Sequence, residues 1–365
     1  MSAKLSFLKN DERIIFALRE LYEKFGYSKY KMSKFEEYDL YVRNKDFLIS
    51  DSVITFTDTN GRLMALKPDV TLSIIKNCKD EKGEVSKLYY NENVYRVTKG
   101  AEGFREIMQT GLECIGDIDE YCVFEVASLA MKSLKAISDE CVLSLSHIGI
   151  LTDIIDEMEL SSDVRREVIK CIGEKNIHGI SALCGDNEKA QSLKTLISAY
   201  GKPAEVIKKI SALSPREEYI KELSDIAEGF AAAGLSDNLV IDFSVIDDIK
   251  YYNGIVFKGF VKGAPESVLS GGRYDNLMKR IGKKSGAIGF AVYLDVLSTL
   301  SNPQAEYDTD TLLIYEDGES VLNINRAIAH LSAQGDRVSA QRKIPEKFKY
   351  KRLVKLCGGE ITEVL

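Results

Sequence analysis

The chain has 365 residues, 45% hydrophobic and 29% charged, with a net charge of −7 at pH 7 and a pI of about 5.4. That is a globular composition, long enough for roughly two or three domains and a sizeable core. The acidic balance disfavours broad nucleic-acid binding, and no apolar run approaches the roughly 20 residues of a membrane span.

Asp11–Phe25 carries apolar residues at Ile14, Ile15, Leu18, Leu21, Tyr22 and Phe25, which is helical spacing, and Gly26 stops it. Tyr27–Tyr41 reads as extended and Val53–Thr57 as a short strand. Asp58–Gly61 is a turn, and Leu63–Leu66 continues as a strand into Lys67–Thr71. Pro68 ends that ladder, and a helix is expected over Leu72–Cys78. Asp69 or Thr71 could cap it, and its first N–H groups could face an anion.

Lys87–Arg96 and Phe104–Ile115 are β-rich runs around a glycine-bearing polar segment, the pattern of a hairpin. Strand periodicity puts Arg105, Gln109 and Glu113 on one face: a guanidinium, an amide and a carboxylate in a row. Such a row could hold a zwitterion or a nucleotide, or be a solvated sheet face.

Tyr121–Ile137 has helical spacing and Val142–His147 alternates as a strand. Residues 150–233 read as a charged, mainly helical insertion. Strands resume at Leu239–Phe243, and Tyr251–Phe260 reads as a second hairpin or strand–turn–strand. Ser270–Asp275 brings glycines before Arg273, allowing close backbone approach. Gly286–Leu297 passes from a strand into an apolar helix, and Ser301–Asp308 is a polar linker. A strand at Thr311–Tyr315, a helix at Val321–Gln334 and a strand at Arg337–Gln341 make a small α/β unit. It is expected to end soon after that second strand, in the basic stretch Lys343–Lys355.

The seven cysteines, at 78, 114, 122, 141, 171, 184 and 357, form no CxxC pair. This usage reads as reduced thiols in the cytoplasm rather than disulfides or zinc. His147, His178 and His330 lack metal-ligand spacing, and no cofactor motif is visible. The first residues, MSAKLSFLKNDER, have no signal-peptide core, so a cytoplasmic location is expected.

The order of the motifs resembles the class II aminoacyl-tRNA synthetase core, in the histidyl-tRNA synthetase lineage. LMALKPDVT (63–71) is similar to that family's LxLRPExT segment, and NVYRVTKGAEGFREIMQTGLECIG (93–116) to its second class motif. YYNGIVFKGF (251–260) is similar to its histidine-recognition segment. SGGRYDNL (270–277) with GAIGFAVYLDVL (286–297) resembles its third motif. The resemblance implies an α+β fold, an antiparallel sheet flanked by helices, usually dimeric. It covers 1–305, with 306–365 resembling a shortened anticodon-binding domain.

Departures from the family pattern bear on function. Thr98 stands where an acidic residue is usual, Asp247 and Val296 stand at arginine positions, and Ser33 replaces a first-motif proline. Adenylate formation needs cations against the phosphates in the transition state, so these changes argue against catalysis. The amino-acid pocket is retained. Asp69 and Thr71 match residues that hold the substrate α-amino group; Gln109 and Glu113 match residues beside its backbone and imidazole. Tyr252, with Tyr251 beside it, matches a tyrosine that touches the imidazole, and Arg96, Arg105 and Arg273 are candidate anion contacts.

A pocket without its catalytic cations is similar to the regulatory subunits of short-form ATP phosphoribosyltransferase. That resemblance implies a non-catalytic subunit with no catalytic residues, metal or cofactor of its own. Its partner would be the short catalytic subunit, joined to a homodimeric core in a hetero-oligomer, with histidine as effector and no tRNA or membrane. The alternatives are a divergent histidyl-tRNA synthetase and a free-standing histidine sensor with another partner.

Overall fold

A computed structural model describes residues 10–44, 53–79, 83–97, 103–213, 215–246, 251–298 and 307–364. Asp247, Thr98 and most of the polar linker lie outside the described residues. The chain divides into two compact units, Met1–Leu300 and Ser301–Leu365.

The first unit begins with α1 (Asn10–Lys24), β1 (Ser28–Lys29), β2 (Phe35–Glu37), α2 (Tyr38–Arg43), β3 (Thr55–Thr57), β4 (Leu63–Leu66) and α3 (Thr71–Asn77). A long hairpin follows, β5 (Val85–Val97) and β6 (Phe104–Gly116), then α4 (Glu120–Ile137) and β7 (Cys141–His147). The helical module holds α5 (Ile148–Asp156), α6 (Ser162–Gly173), α7 (Ile177–Cys184) and α8 (Glu188–Ile197). It continues through β8 (Tyr200–Gly201), α9 (Pro203–Ser211) and α10 (Glu217–Ala232). The unit closes with β9 (Leu239–Asp242), β10 (Ile255–Val261), β11 (Leu269–Arg273), α11 (Asp275–Arg280), β12 (Gly286–Tyr293) and α12 (Leu294–Ser298).

Nine of these strands form one sheet, in the order β1-β5-β6-β12-β11-β10-β7-β9-β8. Every pairing from β5 across to β7 is antiparallel. Helix α4 explains why one face is dry. Its Asp119 cap accepts from the Cys122 N–H at 2.8 Å. Its Val126, Leu129, Ala130 and Leu134 pack with Leu112, Leu145, Phe257 and Phe290 of the strands. Burying each large side chain of this kind is worth about 1.5–3 kcal/mol. Tyr22 of α1 joins that core, its hydroxyl 3.0 Å from Ser133 Oγ. The opposite face is left for polar side chains.

Three expectations change. Tyr38–Tyr41 is helical, because the Tyr41 ring is buried against a second core formed by α3 and the hairpin. Tyr251–Gly254 is a turn leading into the single strand β10, not the first arm of a hairpin. The C-terminal unit does not end after its second strand. It has β13 (Thr309–Tyr315), α13 (Val321–Ala333), β14 (Val338–Gln341), β15 (Tyr350–Cys357) and β16 (Glu360–Glu363), in sheet order β14-β13-β15-β16. The second half of the basic stretch runs into β15, with Leu353, Val354 and Leu356 buried between charges that pair outward, such as Lys355 with Glu316 at 2.6 Å. Among the described residues no helix is long and apolar enough to cross a membrane.

Candidate functional site

The polar face of the large sheet is built from small residues flanked by a few large polar ones. Strand register sets Gln109 opposite Tyr293, Gly111 opposite Ala291 and Glu113 opposite Gly289, and β11 sets Ser270 beside Ala291. On β10, Lys258 lies beside Ser270. Small side chains in the middle leave a cavity of about 540 Å³ above them. Gly289 is required there: a Cβ would come 1.8 Å from Glu113 Oε2. Gly272 likewise makes room for the Tyr252 ring, which would lie 2.8 Å from an added Cβ.

The β4–α3 corner closes one wall. Pro68 ends β4, and Asp69 Oδ1 accepts the Leu72 N–H at 2.8 Å in the first turn of α3. The corner is fixed to the hairpin twice. Tyr95 N–H donates to the Lys67 carbonyl at 3.0 Å, and Arg96 Nε donates to the Pro68 carbonyl at 2.9 Å. Below it the buried Lys67 ammonium pairs with Glu92 at 2.7 Å. The Thr71 hydroxyl donates to Glu113 Oε1 at 2.8 Å, and the Tyr274 hydroxyl donates to Glu113 Oε2.

Burial dominates the electrostatics. It pushes the Glu113 carboxyl up to about 8, against the two hydroxyl donors that favour its charge, and Asp69 adds to the rise. Burial also raises Asp69, opposed by the Leu72 N–H and by Arg96. The phenols of Tyr90, Tyr251 and Tyr274 are held well above their ordinary value by burial, with nearby carboxylates adding. Burial lowers the Lys258 ammonium. Gln109 is 3% exposed and its Nε2 has no hydrogen-bond partner among the described residues, although it lines the cavity. A buried N–H₂ without an acceptor costs about 1–3 kcal/mol until a ligand supplies one.

The structure brings Asp69, Thr71, Arg96, Gln109, Glu113, Tyr251 and Tyr252 around this one cavity. Arg105 does not join them. It shares the face of Gln109 but lies four residues along the strand, roughly 13 Å away at a rise near 3.3 Å per residue, and is exposed. Arg273 also lies outside, paired with Asp275 at 2.8 Å and Glu222 at 3.9 Å. Reading the sequence missed Tyr274, Tyr90 and Lys258. Tyr274 sits inside the SGGRYD stretch, which drew attention for its glycines. No histidine, cysteine or carboxylate cluster among the described residues could hold a metal ion.

The lining carries the carboxyl groups of Asp69, Glu113, Glu266 and Asp295 beside the basic side chains of Arg96 and Lys258. Its inner end offers acceptors to an ammonium and an N–H, and one amide donor to a carboxylate. Solved structures with this fold belong to the class II synthetase-like proteins. A Bacillus halodurans C protein described as an ATP phosphoribosyltransferase regulatory subunit/histidyl-tRNA synthetase superposes with a TM-score of 0.74 at 23% identity, covering 93% of this chain and 91% of that one. The ATP phosphoribosyltransferase complex of Thermotoga maritima contains a chain matching at TM-score 0.61 and 18% identity, over 77% of this chain and 96% of its own. Residues 5–297 match the family model of histidyl-tRNA synthetase.

Within that class the sequence relatives are narrower. The ATP phosphoribosyltransferase regulatory subunit of Caldanaerobacter subterraneus is 31% identical over 291 residues, 76% of this chain and 75% of the relative. That of Clostridium kluyveri is 29% identical over 316 residues, 82% and 81% of the two chains. The chain belongs to the ATP phosphoribosyltransferase regulatory subunits, and its part in histidine biosynthesis is regulatory.

Proposed function

We propose that this subunit activates a short-form ATP phosphoribosyltransferase catalytic subunit and carries free histidine in its cavity as the feedback inhibitor. The observation that supports this is the buried, unpartnered Gln109 amide beside Asp69, Thr71 and Glu113. An α-ammonium meets Asp69 and Thr71, the carboxylate meets the Gln109 N–H₂, and the imidazole N–H meets Glu113 with Tyr252 beside the ring. Each donor then faces an acceptor, which favours a small zwitterion with a second N–H.

The same lining disfavours adenylate formation. A triphosphate entering it would face Glu266 and Asp295 with few cations near, and Val296 stands at a position where the synthetases carry arginine. The catalytic residues therefore lie on the partner, and this chain forms a homodimeric core within the hetero-oligomer. Phosphoribosyl transfer by the short catalytic subunit, with and without this chain and with histidine titrated in, tests the reading. Activation that histidine reverses is expected. A rate indifferent to this chain overturns the proposal.

A further inference from the structure

The turn that carries Tyr251 and Tyr252 hangs between two strand ends. Asn253 N–H donates to the Arg273 carbonyl at 3.0 Å, at the end of β11. Ile148 N–H, just past the end of β7, donates to the Gly254 carbonyl at 2.9 Å. One carboxylate on the helical module hydrogen-bonds the side chain at one strand end and lies at ion-pair distance from that at the other. Glu222 of α10 places Oε2 2.9 Å from His147 Nε2 and Oε1 3.9 Å from Arg273 Nη1.

His147 is 1% exposed, and its ring packs 4.3 Å from that of Tyr219, one turn before Glu222 on the same helix. Arg273 also pairs with Asp275 at 2.8 Å, and Asp275 takes the Asn253 side-chain amide at 3.4 Å. Beyond the turn, the Tyr251 ring packs 4.8 Å from Tyr252 and 5.5 Å from Tyr274, whose hydroxyl donates to Glu113. A continuous set of contacts thus runs from α10 to the floor of the cavity.

We infer that Glu222 is a positioning residue for the cavity: by clamping His147 and Arg273 it sets the Tyr251–Gly254 turn, and it ties the seat of the helical module to the shape of the ligand site. Neither of its partners lines the cavity, so its effect on a ligand passes through the turn. A force that shifts α10 would move Glu222 and loosen both anchors of the turn. Ligand bound beneath the tyrosines would hold the turn and, by linkage, the module. The ligand part of this inference rests on the histidine reading above; the anchoring of the turn does not.

The test uses the full chain. Glu222→Ala removes both contacts, and Glu222→Gln keeps an acceptor for His147 but loses the charge facing Arg273. Glu218→Ala, an exposed change on the same helix, is the control. Amide exchange is followed over 251–256 and 109–113, and histidine affinity by calorimetry. Expected for Glu222→Ala are about tenfold faster exchange in 251–256, unchanged exchange in 109–113 and about tenfold weaker histidine binding. Glu222→Gln should fall between it and wild type, and Glu218→Ala should match wild type. Exchange and affinity in Glu222→Ala equal to wild type would overturn the inference. If Glu222→Ala does not fold, unchanged exchange in Glu222→Gln overturns it instead. A wild-type chain that binds no histidine sinks the histidine reading alone, because the exchange measurement still judges Glu222.

Discussion

Replacing Glu113 by glutamine should weaken histidine binding while making the empty protein more stable. The two effects have one origin. Glu113 is buried, and its carboxyl is pushed from an ordinary 4.5 up to about 8. A carboxyl raised on folding binds its proton more tightly in the folded state than in the unfolded one. Stability therefore falls as pH rises through the window from about 4.5 to about 8, by about 1.4 kcal/mol per pH unit. At pH 7 the accumulated cost is on the order of 3 kcal/mol. Glutamine fills the same space and does not titrate, and the Thr71 and Tyr274 hydroxyls can turn to accept from its amide. Its unfolding free energy should lack this fall with pH, and its Tm without ligand should exceed that of wild type at pH 8. Against this gain, an imidazole entering the site loses a carboxyl that can ionise against it. That costs about 1–3 kcal/mol, roughly ten- to hundred-fold in affinity. Feedback in the assembled enzyme should weaken in step, with activation spared, because a ligand acts only through its preference for one state. Denaturant melts between pH 5 and pH 8.5, calorimetry with histidine and inhibition curves of the complex measure the three effects. Equal histidine affinity and an equal pH slope in both proteins would refute the reasoning.

Other outcomes follow from the same geometry. Histidine-dependent ATP–pyrophosphate exchange should stay at background, and exchange that Arg96→Ala abolishes would contradict the reading of the acidic lining. Gly289→Ala should drive a methyl group into Glu113 and displace it; a loss of about 1–3 kcal/mol in stability and of histidine binding is expected, read by melts and calorimetry. Light scattering should give a dimer that shifts to larger mass when the short catalytic subunit is added. A lone monomer that never shifts would sink the assembly.

Much of the sheet was legible because hydrophobic pattern and turn residues agreed along it. The second hairpin arm, expected over Phe104–Ile115, occupies Phe104–Gly116, and the following helix, expected over Tyr121–Ile137, occupies Glu120–Ile137. Misreadings arose where tertiary packing overrode local signal. Tyr251 and Tyr252 look like strand residues, but their rings pack on Gly272 and Tyr274 from a turn, outside any ladder. Strand preference in aromatics reflects what they pack against rather than the backbone itself. In β15 the short buried run of Leu353, Val354 and Leu356 was hidden by lysines and an arginine whose partners, Asp310, Glu316 and Asp336, come from elsewhere in the unit.

The cavity was legible only in part, for a related reason. Strand periodicity put Gln109 and Glu113 on one face, but periodicity has no sense of distance along the strand, so it could not separate them from the exposed Arg105. Nor could it see Tyr274, which reaches Glu113 across a separation of 161 residues. That contact changes what Glu113 is. With Thr71 and Tyr274 already donating to both oxygens, the empty pocket is satisfied there, while Gln109 is not. On the proposed reading, an entering amino acid would gain most where its carboxylate meets Gln109. At Glu113 it competes with two hydroxyls for a carboxyl that burial favours in its protonated form. On the proposed reading, such a site would bind histidine reversibly over a modest free-energy range, as feedback requires. Among the described residues its lining sets only Arg96 and Lys258 against four carboxyl groups, a poor arrangement for stabilising a developing phosphoryl charge.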